Sequence, residues 1–383
     1  MSARLFGALL ALATFTTPVS AAGQALSHPV SLAGSPDALA HFHRALRQGR
    51  ARVLVYGASH TAPDVYTGEL RRRLTARFGD GGPGWVLPGY PFAFYEHDRV
   101  AIESRGWEGR VLRYGARRPT RLGLAGFALD AAAPAEASLH MPGSVDVVEV
   151  HYLRQRGGGT ITVEIAGRTS TIDTSAGRPG AGHAFIRNDG DVRSLRIRSS
   201  GRVRLFGVTL ERSGDGVTVD AFGVPGARFH DQAPWDEGTL RASLSARAPD
   251  LVAFAYGTNE GVSGRPSIGT YRRRLRDGLA RWRRLAPAAS CLLIGPGDVP
   301  RRRRDGVWVP RARLAAVIEV QRVQAREAGC AFFDTRAMMG GAGGMEHWVQ
   351  AGLAIGDRVH FTEAGYRRMG AALYRALLEG FDR

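Results

Sequence analysis

The sequence predicts an α/β domain interrupted by a β-sandwich and preceded by an export signal. Three observations lead there. Strand–helix alternation occupies residues 26–96 and returns over 213–383. Between them, residues 97–212 carry only short alternating runs broken by Gly, Pro and Ser. Residues 1–25 have the build of a signal peptide: Arg4, an apolar stretch from Leu5 to Phe15, then small residues with Val19-Ser20-Ala21 as the cleavage site.

Composition bounds the rest. With 383 residues, 44% hydrophobic and 23% charged, the chain can bury a core. It has no apolar run of ~20 residues, the length a membrane-spanning helix needs. The formal charge is +17, and all 52 basic residues are Arg. A nucleic-acid surface has no reason to exclude Lys, so the Arg excess reads as a coding bias and predicts no nucleic-acid partner. It does predict salt-sensitive association with anionic polymers.

In chain order, Pro36 to Leu46 predicts a helix with Ser35 as its cap. Arg52 to Gly57 is a β-branched run of the kind found in buried parallel strands. Asp64 to Phe78 has helical spacing, with Val65, Leu70 and Leu74 on one face and Arg71, Arg72 and Arg73 off it. Val145–Tyr152, Thr160–Ile165, Thr169–Ile172, Ser194–Ile197 and Val203–Leu210 are the strands expected of the sandwich. Strands follow at Val217–Phe222, Leu251–Tyr256, Leu292–Ile294 and Ala331–Phe333, and helices at Tyr271–Leu285, Ala312–Ala328 and Glu363–Leu378. Cys291 and Cys330 each open a short apolar run. They bond if those runs are neighbouring parallel strands, and are otherwise two buried thiols.

Four segments stand at strand ends or in the last loop: Gly57-Ala58-Ser59-His60, Gly223-Val224-Pro225-Gly226-Ala227, Gly257-Thr258-Asn259 and Asp357-Arg358-Val359-His360. Ligands of open α/β sheets bind beyond the carboxyl ends of the strands, so the topology can gather them. Together they suit acyl transfer. A Ser hydroxyl needs an adjacent base, which His360 supplies to Ser59. Asp357 orients the imidazole. The Ser59 and Gly226 backbone N–H groups and the Asn259 amide suit an oxyanion, with Gly223 as the alternate to Gly226.

These blocks, in this order, resemble the SGNH (GDSL-like) hydrolases, an esterase superfamily named for its Ser, Gly, Asn and His. Ser59-His60-Thr61, Phe78-Gly79-Asp80-Gly81-Gly82-Pro83-Gly84, Asp298, Phe333-Asp334-Thr335 and Met339-Gly340-Gly341 are similar to the periplasmic peptidoglycan O-acetylesterase branch. In that branch a carbohydrate-binding-module-like sandwich separates the Ser and Gly blocks. The resemblance implies a flavodoxin-like three-layer α/β/α sheet and a Ser59–His360–Asp357 triad. It further implies a periplasmic or secreted enzyme acting on an O-acetylated polysaccharide, peptidoglycan first. Three positions depart from the usual pattern: Ala58 stands for Asp, Pro225 for Asn, and Glu260 for Asp. A glycan acetyltransferase with the same triad and a non-catalytic glycan-binding protein on an esterase scaffold are the alternatives.

The eleven histidines include no H-E-x-x-H and no Cys/His quartet, so neither metal nor cofactor is expected. His60 either touches substrate or packs against its loop. Trp348 either stacks on a sugar or fills the core, and the same choice applies to Trp107, Tyr114 and Tyr152. Arg301–Arg304 is either a solvated loop or a holder of anionic glycan.

Overall fold

The computed structural model describes residues 28–35, 37–111 and 120–382. The predicted signal segment, Pro36 and Tyr114 lie outside them.

The chain starts with β1 (Ala33–Gly34), α1 (Ala40–Arg47), β2 (Arg50–Gly57) and α2 (Val65–Phe78). Nine antiparallel strands follow: β3 (Gly84–Val86), β4 (Ala101–Arg105), β5 (Glu108–Val111), β6 (Phe127–Ala131), β7 (Ala135–Arg154), β8 (Thr160–Ile165), β9 (Arg168–Asp173), β10 (Gly180–Ser200) and β11 (Val203–Glu211). Alternation then resumes with β12 (Gly216–Gly223), α3 (Glu237–Arg247), β13 (Leu251–Ala255), α4 (Thr258–Val262), α5 (Ile268–Leu285) and β14 (Ser290–Ile294). A small hairpin, β15 (Arg301–Arg302) and β16 (Trp308–Val309), precedes α6 (Ala312–Glu327), β17 (Ala331–Phe333), α7 (Thr335–Met338), α8 (Gly344–Gln350) and α9 (Glu363–Leu377).

The main sheet runs β1-β17-β14-β13-β2-β12. Only the short edge strand β1 is antiparallel; the others pair in parallel. Alternate residues of the strands face opposite layers. Val53, Val55, Leu251 and Leu292 pack with Phe42 of α1, Tyr66 and Leu70 of α2 and Leu373 of α9. Leu54, Tyr56, Val252 and Leu293 pack with Leu240 of α3, Leu275 and Trp282 of α5 and Val317 of α6. The result is the three-layer α/β/α sheet. Each strand expected of it is present, and ends move by no more than four residues. α1 starts at Ala40 behind Leu39, so Ser35 does not cap it.

The second sheet folds over on itself through two long strands. The first half of β7 pairs with β4 and with the second half of β10. Its second half pairs with the first half of β10 and with β11, and the β7–β10 register breaks around Arg187, Val192 and Ser194. Leu139, Ile161, Leu195, Val150 and Val208 share one apolar cluster between the two halves. β3, just after the first α/β segment, joins this sheet by pairing with β11.

The seam between the sheets joins apolar packing, with Trp85 of β3 on Phe222 of β12, to a buried ionic network. Glu211, ending β11, accepts from Arg50 and Arg52 of β2 and from Arg247 of α3. Asp220 of β12 accepts from Arg247 and from the Trp85 backbone N–H. Burial would raise the Glu211 carboxyl, but the Arg247 and Arg52 guanidinium groups outweigh it and hold the carboxyl well below the usual range. A depressed carboxylate stabilises the fold above its unfolded pKa of about 4.3, and the stabilisation is lost as pH falls below that.

Cys291, on β14, and Cys330, just before the adjacent strand β17, are bonded. The bond closes a 39-residue separation, a loop for which chain entropy gives up to about 4 kcal/mol. The Cys291→Ser/Cys330→Ser double variant is therefore expected to unfold at clearly lower urea, read by tryptophan fluorescence.

Candidate active site

The sheet order places β12, β2 and β13 side by side, and the chain reverses direction across the sheet at this point. Such switch points leave a crevice beyond the carboxyl ends of the strands. Ser59 follows β2, Gly226 follows β12 and Asn259 follows β13.

Past Gly57 the chain closes a tight turn, with the Thr61 and Ala62 N–H groups both donating to the Ala58 carbonyl. Ala58 is buried, 5% exposed, and Ser59 and His60 are half-buried at the turn. A buried ion pair anchors the far end. Asp64, at φ +51°, accepts from Arg71 at 3.0 and 3.1 Å, from the Thr67 hydroxyl and from the Asp98 N–H. Arg71 also donates to the Val219 carbonyl of β12. Helical spacing sets Arg71 off the apolar face of α2, yet it is fully buried. Its length and five donors let it join α2, the Ser59 turn and β12, which a period count does not reveal.

His360 comes from the loop between α8 and α9. The Ile355 N–H donates to the His360 carbonyl, and Arg358 takes φ +56° to turn the chain. Beneath, Phe361 packs on Trp348 at 4.9 Å between ring centres. Trp348 is fully buried, which makes it a core residue and not a sugar platform. The hydroxyl of Ser59 lies 2.9 Å from His360 Nε2, and His360 Nδ1 lies 2.6 Å from Asp357 Oδ2. The other oxygen of Asp357 accepts from the Val359 and His360 N–H groups. Burial pushes the Asp357 carboxyl up, but those bonds, the one from His360 first, bring it below its ordinary value. The carboxylate is therefore ionised at neutral pH.

The turn carrying Gly226 explains Pro225. The Ala227 N–H donates to the Val224 carbonyl, and Gly226 has φ +77°. A turn with Pro first and a positive-φ Gly second is type II in kind, which Pro pre-sets and Gly alone adopts without strain. Gly226 is exposed and has open space beside it. Gly223 is different: a Cβ there would stand 2.2 Å from the Ala62 nitrogen. It lets β12 pass close to the Ser59 turn, and of the two glycines it is the one without room for a ligand.

Asn259 donates to the Ala227 carbonyl at 2.8 Å, which leaves its second amide hydrogen uncommitted to that bond. Glu260, buried, reaches back to the Gly257 N–H and across to the Phe229 N–H. Burial raises its pKa above the ordinary carboxylate value. The Glu at this position thus ties the Asn259 loop to the segment after Gly226.

His60 packs. Its ring lies 5.2 Å from His360, 5.3 Å from Phe361 and 5.8 Å from Tyr366, and its Nδ1 is 3.0 Å from the Tyr366 hydroxyl. Loss of hydration among these rings, then the neighbouring His360, lowers its pKa to about 3, so it stays neutral. Tyr366, on α9, carries no sequence signal for this contact. Arg358 reaches the Glu346 carboxylate of α8 and lies 4.5 Å over the Trp308 ring. The exposed hairpin with Arg301 and Arg302 is thereby fixed beside the His360 loop. In the inserted sheet Tyr152 is buried and Trp107 packs against the core.

Residues 196–368 match the model of the GDSL-like Lipase/Acylhydrolase family, a stretch holding Gly226, Asn259, Asp357 and His360 but not Ser59. A solved peptidoglycan O-acetylesterase superposes with a TM-score of 0.77 at 26% identity, covering 90% of this chain and 96% of that one. The chain is a carboxylic ester hydrolase that resembles the GDSL-like acylhydrolases. A family two carbohydrate esterase from Cellvibrio japonicus also matches, over 74% of this hydrolase and 98% of its own chain, but at 12% identity and a TM-score of 0.30. No curated protein matches the hydrolase in sequence. Among its described residues no helix is long and apolar enough to cross a membrane.

Proposed function

We propose that this hydrolase is exported and removes O-linked acetyl groups from a cell-envelope polysaccharide, peptidoglycan first, through Ser59, His360 and Asp357. The observation that carries the reading is the unbroken chain Ser59 Oγ–His360 Nε2, His360 Nδ1–Asp357 Oδ2, at 2.9 and 2.6 Å. The likeness to the solved O-acetylesterase supports the substrate class. The signal segment and the disulfide, a bond of oxidising compartments, support export.

In the proposed course His360 takes the Ser59 proton as Oγ attacks the acetyl carbon. The carbonyl oxygen becomes an oxyanion facing the N–H groups of Ser59 and Gly226 and the Asn259 amide. The tetrahedral intermediate collapses, the sugar oxygen leaves with the proton from His360, and acetyl-Ser59 remains. Water then gives its proton to His360 and attacks the same carbon, releasing acetate and free Ser59. Asp357 holds the Nδ1–H tautomer and stabilises the imidazolium. Asn259→Ala is expected to lower kcat on a chromogenic acetyl ester by roughly 10²- to 10³-fold with little change in KM, because the amide acts on charge that exists only after attack.

The substrate is tested by acetate release from O-acetylated peptidoglycan, acetylated xylan and simple acetyl esters. The reading predicts the highest kcat/KM on peptidoglycan. Equal or better release from xylan would reject peptidoglycan, and transfer of acetyl to added glycan in place of release would reject hydrolysis.

A further inference from the structure

A second cluster of ionisable groups lies in the inserted sheet. Glu149 and His151 are two apart on β7, so both leave the same face. His183 of β10 is the cross-strand partner of His151, and Thr209 of β11 that of Glu149. This face turns away from the sandwich interior, where Val148, Val150 and Tyr152 point. It packs toward the catalytic domain: Leu153 of β7 and Ala181 of β10 share a cluster with Ala242 of α3.

The donor atoms converge. His151 Nδ1 and His183 Nδ1 are 2.9 Å apart, His183 Nδ1 and Glu149 Oε1 3.3 Å, and the three residues each offer a ligand atom within 4.8 Å of the others. The side chains of His151, Glu149 and His183 are 4%, 7% and 17% exposed. Glu149 Oε1 is buried and has no hydrogen-bond partner, and neither has His183 Nε2. A buried, unsatisfied carboxylate oxygen facing two close imidazole nitrogens is costly unless a positive centre lies among them. A tetrahedral ion with ligand bonds of about 2.0–2.2 Å spaces its donors by roughly 3.3 Å, close to the 2.9 and 3.3 Å that separate His183 Nδ1 from His151 Nδ1 and from Glu149 Oε1. The outer contacts agree. His151 Nε2 lies 2.6 Å from the Thr209 hydroxyl and 3.7 Å from Glu149 Oε2, so the imidazole's second nitrogen has a partner of its own.

We propose that Glu149, His151 and His183 bind one divalent transition-metal ion, zinc first. Two imidazoles and one carboxylate favour zinc over the oxygen-seeking magnesium and calcium, and water completes the four ligands. The ion clamps β7 to β10 on the face that meets α3, and so steadies the inserted sheet on the catalytic domain. The sequence shows no metal motif because strand pairing brings together His151 and His183, 32 residues apart.

The full chain is stripped with a chelator, desalted and titrated with Zn²⁺ against a chromogenic competitor, with melting temperature and the visible spectrum of added Co²⁺ as further readouts. One equivalent of zinc, a raised melting temperature and the intense absorption of tetrahedral cobalt are expected. His183→Ala and Glu149→Gln should each weaken zinc by roughly 100-fold, at or beyond what loss of an outer-shell partner costs, while still hydrolysing a chromogenic acetyl ester. Ser59→Ala should bind zinc as the wild type does, which separates this site from the esterase reading. Wild-type protein that takes up no stoichiometric zinc and gives no tetrahedral cobalt spectrum overturns the proposal and leaves a neutral His151–His183 hydrogen bond. Folded variants that bind zinc as tightly as the wild type overturn it too.

Discussion

Ser59→Ala is expected to lower kcat on a chromogenic acetyl ester by roughly 10⁴- to 10⁶-fold, the range seen when the nucleophile of a triad is removed. The residual rate belongs to the oxyanion donors and to binding alone. Ser59 is half-buried, and its side chain bonds His360, so the variant loses one hydrogen bond and leaves no buried charge unpaired. Its melting temperature should stay close to that of the wild type, read by circular dichroism on the same preparation. A large loss of turnover without a loss of fold separates a chemical role from a structural one. Undiminished turnover in pure Ser59→Ala would end the triad reading.

The largest stability effect is expected at Arg247. Its guanidinium is fully buried and donates to both Asp220 oxygens, to Glu211 and to the Thr218 hydroxyl. Arg247→Met fills much of the same volume but removes the charge. Glu211 keeps Arg50 and Arg52; Asp220 keeps only the Trp85 N–H as a hydrogen-bond partner among the contacts described. Stranding a buried carboxylate typically costs about 3–5 kcal/mol, and urea unfolding should show a loss of that size. The loss should shrink when Asp220 is changed to Asn in the same chain, because the stranded charge is then gone. A variant as stable as the wild type would mean that the seam between β11 and β12 rests on apolar packing alone.

Much of the candidate site's geometry is legible from local sequence. Each of Ser59, Gly226 and Asn259 sits just past an apolar run short enough to be a buried parallel strand, and Asp357 and His360 lie three apart in one loop. Chain order and the rule of carboxyl ends then bring them together. What sequence conceals depends on partners distant along the chain. Arg71 reads as lying off the apolar face, and nothing marks Arg247, because a period count cannot see carboxylates waiting in another segment. α3 goes unread because its apolar residues are few: Leu240 and Leu244 face the core among Thr, Ser and Arg. The long strands β7 and β10 are seen only in part, since Pro142-Gly143 and Asp189-Gly190 resemble turns. The Glu149–His151–His183 cluster exists only once those strands pair.

In the proposed mechanism His360 and Asp357 make Ser59 nucleophilic within one cleft. The most direct measurement is reaction with a fluorophosphonate, followed by intact mass and peptide mapping of wild-type protein. A single adduct on Ser59, loss of ester hydrolysis in step with labelling, and markedly slowed labelling in His360→Ala are expected. Labelling at another residue, or active protein that gives no adduct at Ser59, would contradict it.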